Sequence, residues 1–174
     1  MADFPHVAGT RLTPNEINRD DPMFAIQQST QSVTSNATTS VPVIDLWALL
    51  DGNSIYQVWA VVSASQSIDA ATTIDVNTNW SFPLSSTSFG IGGFGPEGSG
   101  TNMTSTVSTF MAALSSASTS IRFGADDTPN AFLQSGTVYT GPPGVIRFQF
   151  RQFTANANAA SILFDSFLVV QKVG

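Results

Sequence analysis

The sequence predicts an all-β protein, an antiparallel β-sandwich, from three observations. Charged residues make up only 10% of the 174 residues, far below the roughly 25% of an ordinary globular protein. Polarity is carried instead by 22 Ser and 19 Thr, which favour strands and turns over helix surfaces. Short apolar stretches with period-2 alternation are separated by frequent turn signals, so about eight strands of a sandwich or jelly roll are expected over residues 25–174.

The clearest strand signal lies in residues 136–174, which we interpret as a β-hairpin. In its first arm, residues 145–153, apolar and polar side chains alternate strictly, which indicates a strand with one buried face. The apolar set is Ile146, Phe148 and Phe150, and the polar set is Arg147, Gln149 and Arg151. The alternation breaks at Phe153, which predicts a β-bulge near Arg151 and Gln152.

The second arm, residues 161–173, is apolar on both faces. One face would carry Ile162, Phe164, Leu168 and Val170, and the other Leu163, Phe167, Val169 and Val173. A single sandwich buries only one face of each strand, so the second face needs another cover, and a further copy of the chain is a natural one. We therefore predict an interface with another copy of the chain at Leu163, Phe167, Val169 and Val173.

Further strands are predicted along the rest of the chain. Residues 56–67 form the best central strand, residues 24–43 suit two short strands, and residues 68–82 and 121–123 suit one each. Residues 104–116 fit a helix or a strand, and their Ser and Thr density favours the strand. The three tryptophans lie in apolar stretches and are expected in the core rather than stacked on sugars: Trp47, Trp59 and Trp80.

A glycine-rich stretch over residues 85–102 is expected to be a long exposed loop. It lacks the Gly-Lys-Ser/Thr ending of a phosphate-binding loop. Its centre is instead a possible ligand loop, formed by Gly92, Gly93, Phe94 and Gly95. A module that binds a receptor or a host surface glycan through this loop is the alternative to a purely structural protein.

The first 24 residues differ in kind from the remainder and are interpreted as an arm. They contain three prolines, and Thr13 with Pro14 fits a helix start, with Glu16 in the capping-box position. We expect this arm to anchor the protein to a larger particle. The expected anchor residues are Leu12, Thr13, Pro14, Ile17 and Asn18.

The composition argues against several classes of function. The six basic residues form no run that could neutralise a nucleic-acid backbone. The one histidine, His6, lies in the arm, and there are no cysteines, so neither a triad nor a thiol site is expected. Asp126, Asp127 and Asn130 are a weak calcium candidate, because the same residues are turn formers. We expect no cofactor, no membrane insertion and no targeting signal.

Two parts of the sequence resemble small virion surface proteins of tailed bacteriophages, of the minor tail, head-fibre or capsid decoration type. At the C-terminus the similar segments are Gly136-Thr-Val-Tyr-Thr140, Pro143-Gly-Val-Ile-Arg-Phe-Gln149, Gln152-Phe-Thr154 and Ser166-Phe-Leu-Val169. At the N-terminus they are Ala8-Gly-Thr-Arg-Leu-Thr-Pro-Asn-Glu-Ile-Asn18 and Gln28-Ser-Thr-Gln-Ser-Val33. Asp165 departs from the pattern, where a glycine is usual.

The resemblance implies a jelly roll similar to the tumour-necrosis-factor and C1q type. It further implies a homotrimer on the virion exterior, made in the bacterial host cytoplasm and attached to major capsid or tail proteins through residues 1–24. No catalytic or cofactor-binding residues come with it. Whether the protein would stand on the head or on the tail is left open.

Overall fold

The computed structural model describes residues 22–33, 39–66, 75–82, 88–96, 107–110, 120–125, 129–153 and 158–174. Within these ranges the chain is all-β, with no helix, which confirms the predicted fold class. The strands are β1 (Met23–Ile26), β2 (Gln31–Val33), β3 (Val41–Leu50), β4 (Ile55–Gln66), β5 (Asp75–Ser81), β6 (Ser88–Pro96), β7 (Val107–Phe110), β8 (Ile121–Gly124), β9 (Asn130–Tyr139), β10 (Gly144–Gln152), β11 (Ala160–Ile162) and β12 (Phe167–Lys172).

The strands form two antiparallel sheets that pack as a sandwich. The large sheet has the order β1-β12-β4-β9-β6-β7, with β11 pairing to β4 and to β2. The small sheet has the order β3-β10-β5-β8. Six pairs are nested along the sequence, because β6 pairs with β7, β5 with β8, β4 with β9, β3 with β10, β2 with β11 and β1 with β12. The chain therefore folds back on itself between β6 and β7, so that its two halves pair antiparallel. The paired halves contribute strands to both sheets.

The core lies between the sheets and is built by alternation. In β4 the side chains at even positions, from Tyr56 to Ala64, are all buried, whereas those at odd positions are partly accessible. In β10 the predicted apolar set of Ile146, Phe148 and Phe150 is fully buried, as expected. Trp80 meets Phe148 edge to face with ring centroids 5.2 Å apart, one of the favoured aromatic geometries.

The predicted hairpin of residues 136–174 is wrong in its pairing. The first arm is β10 in the small sheet, and the second arm is β12 in the large sheet. β10 pairs with β3 and β5, whereas β12 pairs with β1 and β4. Alternation shows that a strand has a buried face but says nothing about its partner. Here every partner of β10 and β12 comes from much earlier in the sequence.

The predicted bulge near Arg151 and Gln152 is also wrong. Gln152 is fully buried and continues the parity of β10, and its Nε2 donates to the Asn158 carbonyl oxygen. The register irregularity lies instead where β10 pairs with β3, between Arg147 and Gln149. A buried amide with a backbone acceptor thus takes a core position that the sequence pattern reserves for an apolar side chain.

The two faces of the last strand are divided almost as predicted. Leu168 and Val170 are fully buried in the core, while Phe167 and Val169 point outward and are half-buried. Phe164 is the exception, because it lies in the turn before β12 and is 65% exposed. The turn interrupts the alternation only locally, because Ile162 before it and Leu168 after it are both buried at even positions.

The glycine-rich stretch is a strand and not a loop, at least over β6. This strand is paired on both sides, with β9 and with β7. Gly93 and Gly95 face the core, where the rings of Phe123 and Phe132 stack with centroids 4.0 Å apart. A Cβ on Gly95 would lie 2.5 Å from Phe132 Cβ and 2.8 Å from Phe123 Cδ1. These inward glycines therefore leave room for the stacked rings.

A buried polar cluster links the two sheets. Trp80 Nε1 on β5 donates to Gln134 Oε1 on β9 over 2.6 Å, and Gln134 Nε2 donates to Thr78 Oγ1. Thr78 Oγ1 in turn donates to the Ile121 carbonyl oxygen over 3.2 Å. Both Gln134 and Thr78 are fully buried. Buried polar groups of this kind are costly unless they are paired, so the cluster fixes how the sheets face each other.

Replacing Gln134 with Leu is expected to destabilise the protein by about 1–3 kcal/mol, because the Trp80 indole N–H is then buried without an acceptor. The measurement is urea unfolding followed by fluorescence. The double variant Gln134→Leu with Trp80→Phe removes donor and acceptor together and is expected to recover part of the loss relative to the sum of the single variants. Strict additivity of the two single losses would contradict the coupling.

The remaining strand predictions are mostly confirmed. β4 matches the predicted central strand, and β8 matches residues 121–123. Residues 24–43, predicted as two short strands, instead hold parts of three strands: β1, β2 and the start of β3. β7 shows a strand over Val107–Phe110, inside the ambiguous stretch. β1 begins at Met23, so the sheet extends two residues into the predicted arm. No helix long and apolar enough to cross a membrane occurs in the described ranges.

Candidate interaction surface

The outer face of the large sheet carries two continuous rows of uncharged, largely apolar side chains. In the first row, register partners run from Ile26 through Phe167, Val61 and Leu133 to Phe94. The row crosses five strands in the order β1, β12, β4, β9 and β6. Side chains that are direct cross-strand neighbours lie close enough to pack on one another, so this row is one apolar stripe.

The second row lies beside the first. It runs from Phe24 through Val169 and Trp59 to Ser135 and Gly92. The aromatic and aliphatic half is thus on the β1 side, and the row flattens to small residues toward β6. A Cβ built on Gly92 would meet nothing within 4 Å, so the surface there is open.

We call these two rows the outer stripe, and its electrostatic character is unusual. In the five strands that it crosses, Lys172 is the single charged residue. Lys172 is not outward-facing in the stripe, because it is paired in register with buried Tyr56, and its Nζ lies 3.0 Å from Asp51 Oδ2. A sheet face that meets water normally carries polar or charged side chains, and a large apolar patch indicates an interaction site.

The outer face of the small sheet is mixed in character, because Trp47 and Leu49 of β3 are 49% and 62% exposed on it and Trp47 is the register partner of Arg147. There Arg147 is exposed, and Arg151 and Arg122 flank Asn77 in one row of register partners. The Arg122 guanidinium lies 3.9 Å from the centroid of the Phe153 ring. Half of the six basic residues of the chain therefore lie on this one face.

A groove of mixed polarity lies at one edge of the sandwich. β1 and β3 are edge strands of the large and small sheets, and a groove of about 450 Å³ runs between them. We call it the edge groove. Its lining residues are Met23, Phe24, Ala25, Ile26, Asp45, Trp47, Ala48, Leu49 and Leu168. Among the described residues of this lining, Asp45 is the only charged one.

The structure places residues from two separately predicted sites on the same surface. Phe167 and Val169, predicted at a trimer interface, share the outer stripe with Phe94 and Gly92, predicted in a ligand loop. The other two ligand-loop residues, Gly93 and Gly95, face the core. Over residues 92–95 the predicted ligand loop is therefore a paired strand of the large sheet, whereas residues 97–102 of the predicted loop lie outside the described residues.

The other predicted site residues are placed as follows. Leu163 is half-buried, with its N–H donating to the Ser63 carbonyl oxygen, and Val173 is exposed at the C-terminal end, next to Ile55. The anchor residues Leu12, Thr13, Pro14, Ile17 and Asn18 lie outside the described residues, as do Asp126 and Asp127. Asn130 begins β9. In the described ranges no group of three or more His, Cys, Asp or Glu could hold a metal ion.

Two tryptophans that were expected in the core belong to these surfaces. Trp80 is buried as predicted, but Trp59 lies in the outer stripe and Trp47 lines the edge groove with 49% of its surface exposed. In β3 and β4 these two tryptophans occupy odd positions, whereas the buried side chains on either side occupy even positions. This alternation is the signal in the sequence that could have placed them on the outside. Outward-facing aromatic residues are enriched at interfaces between proteins.

Comparison with known proteins gives structural neighbours of low sequence identity and low TM-score. No known protein family matches the chain, and no curated protein matches it in sequence. The similar solved structures include that of the infectious bursal disease virus Gt strain, with 9% identity and a TM-score of 0.26, covering 90% of this chain and 38% of that chain. The D431N mutant VP2 protein of the same virus, in derived T=1 particles, has 11% identity and a TM-score of 0.26, covering 90% of this chain and 36% of that chain. This chain thus spans less than two fifths of the length of either.

Proposed function

We propose that this protein is a non-enzymatic structural component of a virion, assembled as a homotrimer through the outer stripe of the large sheet. The observation that carries the proposal is an outward sheet face that crosses five strands without a charged side chain. Left in water, such a face would promote aggregation. Covering it with another copy removes apolar area from water and adds stability that depends on protein concentration.

The fold proposed for each subunit is a jelly roll of the tumour-necrosis-factor and C1q type. Its support is the nested pairing of β1 with β12, β3 with β10, β4 with β9 and β5 with β8. The sheets β1-β12-β4-β9 and β3-β10-β5-β8 then form the two layers. A double sheet of eight strands wound in this manner is the arrangement of viral capsid and lectin jelly rolls.

The attachment proposed is through residues 1–24 to a major capsid or tail protein of a tailed bacteriophage, with the sandwich on the particle exterior. The support is the resemblance of Ala8–Asn18 to the opening of such proteins, together with the proline-rich, charged composition of this stretch. β1 begins at Met23 at the sandwich edge. An anchor that precedes β1 would thus leave the sheets free to assemble.

Labelling of virus particles tests the proposed role. Gold-conjugated antibodies against residues 25–174 are expected to decorate intact particles, at the head or at the tail, without prior disruption. Particles assembled with a variant that lacks residues 1–21 are expected to lose the label, while the truncated protein keeps its native molar mass in solution. Intact particles that remain unlabelled, with the protein recovered only in the unassembled fraction, would contradict the proposal.

A further inference from the structure

Trp47 is an exposed tryptophan that the proposed assembly does not use. It lies on β3 of the small sheet, beside Arg147, and 49% of its surface is exposed. The outer stripe lies on the large sheet and does not include it. Two roles suit a tryptophan in this sequence, packing in the core and stacking on a sugar. The exposure of Trp47 removes the first of these roles.

The edge groove, which Trp47 lines, has the size of a site for a small molecule. Its volume of about 450 Å³ lies within the roughly 300–1,000 Å³ of such sites. Trp47 contributes an aromatic ring from β3, and Phe24, which is 67% exposed, contributes another from β1. The lining is otherwise of mixed polarity. A ligand with an apolar face and a polar rim therefore matches the groove better than a wholly apolar one.

The carboxylate of Asp45 is held in position at this groove. Its Oδ2 accepts from the Gln28 N–H over 3.0 Å, and the Asp45 N–H donates to Gln27 Oε1 over 3.3 Å. Gln27 is itself fully buried, and its Nε2 donates to the Ser29 carbonyl oxygen over 2.7 Å. Asp45 Oδ1 makes no hydrogen bond to the described residues and can accept one from a ligand. The groove thus offers an acceptor whose position is fixed before binding.

An exposed aromatic ring beside a fixed carboxylate matches the chemistry of a sugar ring. One face of a pyranose carries C–H groups, whose slight positive charge suits the negative face of an aromatic ring. The rim of the same ring carries hydroxyl groups. An ionised carboxylate only accepts hydrogen bonds, and those that it accepts are stronger than bonds between neutral groups. Trp47 and Asp45 can therefore serve the face and the rim of one sugar.

The charge of the groove selects among ligands. Its charged residue, Asp45, is negative, and the chain carries a net charge of -6. A carboxylated or sulfated sugar would bring a like charge to this carboxylate, so a neutral sugar is favoured. An organic cation would also suit a carboxylate near aromatic rings. Such cations are bound in apolar cages, however, whereas the described lining has two aromatic residues and mixed polarity.

We propose that the edge groove is a subsite for a neutral saccharide. Trp47 is the platform on which the sugar ring stacks, Asp45 accepts from its hydroxyl groups, and Phe24 forms the facing wall. The inference goes beyond the proposed structural role, because it assigns a binding activity to a second surface. It does not depend on the proposed assembly, since Trp47 and Asp45 lie on β3 of the small sheet.

Binding to oligosaccharides tests the inference. Wild-type protein is applied to an array of bacterial oligosaccharides that includes neutral, carboxylated and sulfated sugars. Neutral sugars are expected to bind, and acidic ones several-fold more weakly. The neutral oligosaccharide that binds best is then titrated by calorimetry. Trp47→Ala and Asp45→Asn are each expected to raise its Kd about tenfold or more, because the first removes the stacking ring and the second replaces an acceptor by a donor.

The controls separate the groove from the remainder of the surface. Tyr139→Ala removes a 50% exposed aromatic residue from β9 and is expected to leave the Kd unchanged. Circular dichroism and sedimentation velocity check that each variant keeps the wild-type fold and assembly. An array without binding to neutral sugars, an unchanged Kd in both Trp47→Ala and Asp45→Asn, or binding of choline chloride in place of sugars would overturn the inference. A monomeric protein that binds neutral sugars through Trp47 would overturn the proposed assembly alone.

Discussion

Replacing Val169 with Glu is expected to convert the trimer into folded monomers at micromolar concentration. Val169 lies in the outer stripe between Phe24 and Trp59. In a single subunit the new carboxylate can reach water, because this position is only half-buried. In the assembled state it would be buried without a partner, which costs roughly 3–5 kcal/mol and so weakens the contact by about a hundredfold or more.

The control variants distinguish the effect of burying a charge at position 169 from the effect of changing the net charge of the protein. Val169→Lys is expected to dissociate the trimer as Val169→Glu does, although it makes the net charge of -6 less negative. Gln149→Glu makes the same charge change as Val169→Glu on the outer face of the small sheet and is expected to leave the trimer intact. Sedimentation velocity measures the assembly, and far-ultraviolet circular dichroism checks the fold. Unchanged sedimentation of both Val169 variants would show that the stripe is not an interface.

Replacing Gly136 with Ala is expected to cause a large loss of stability. Gly136 lies in β9, opposite Ile91 of β6 and Val58 of β4. An added Cβ would overlap the Gly90 carbonyl oxygen and would lie 2.6 Å from Ile91 Cα. Both are backbone atoms and cannot rotate away, so β6 must move. We expect a loss of about 3 kcal/mol or more, or roughly 6–12 °C in Tm.

Gly90→Ala is the matched control for this substitution. It adds the same methyl group in the neighbouring strand, where nothing lies within 4 Å of the new Cβ. Its effect on stability is expected to stay within about 1 kcal/mol, because it mainly lowers the freedom of the unfolded chain. Thermal unfolding by differential scanning calorimetry compares the two. Equal melting temperatures for Gly136→Ala and Gly90→Ala would contradict the close approach of β9 and β6.

The sequence was sufficient to predict the elements whose signal is local. β4 and β10 alternate without interruption, and their inward side chains are buried as predicted. β6 was missed because its glycine density is typical of loops. Glycine is required at positions 93 and 95 because the stacked rings of Phe123 and Phe132 occupy the space of a side chain there. That reason is a tertiary contact with residues nearly thirty or more positions away, and no local pattern reports it.

The outer stripe was predictable only in part. Phe167 and Val169 stood out because both faces of the last strand are apolar. The sequence did not single out Trp59, Val61 and Leu133, because each lies in a strand that already has a well-formed buried face. A single outward apolar residue in such a strand is common on protein surfaces. Only the register of β12, β4 and β9 aligns them into rows. Register between strands distant in sequence depends on the whole fold.

The central claim is that the outer stripe is covered by other copies of the chain. Multi-angle light scattering on the purified wild-type protein at micromolar concentration tests it most directly. Three chains of 18.4 kDa give an expected molar mass of about 55 kDa, and that mass should hold on dilution over a tenfold range, as for a stable protein interface. A single species at 18.4 kDa throughout that range would contradict the account.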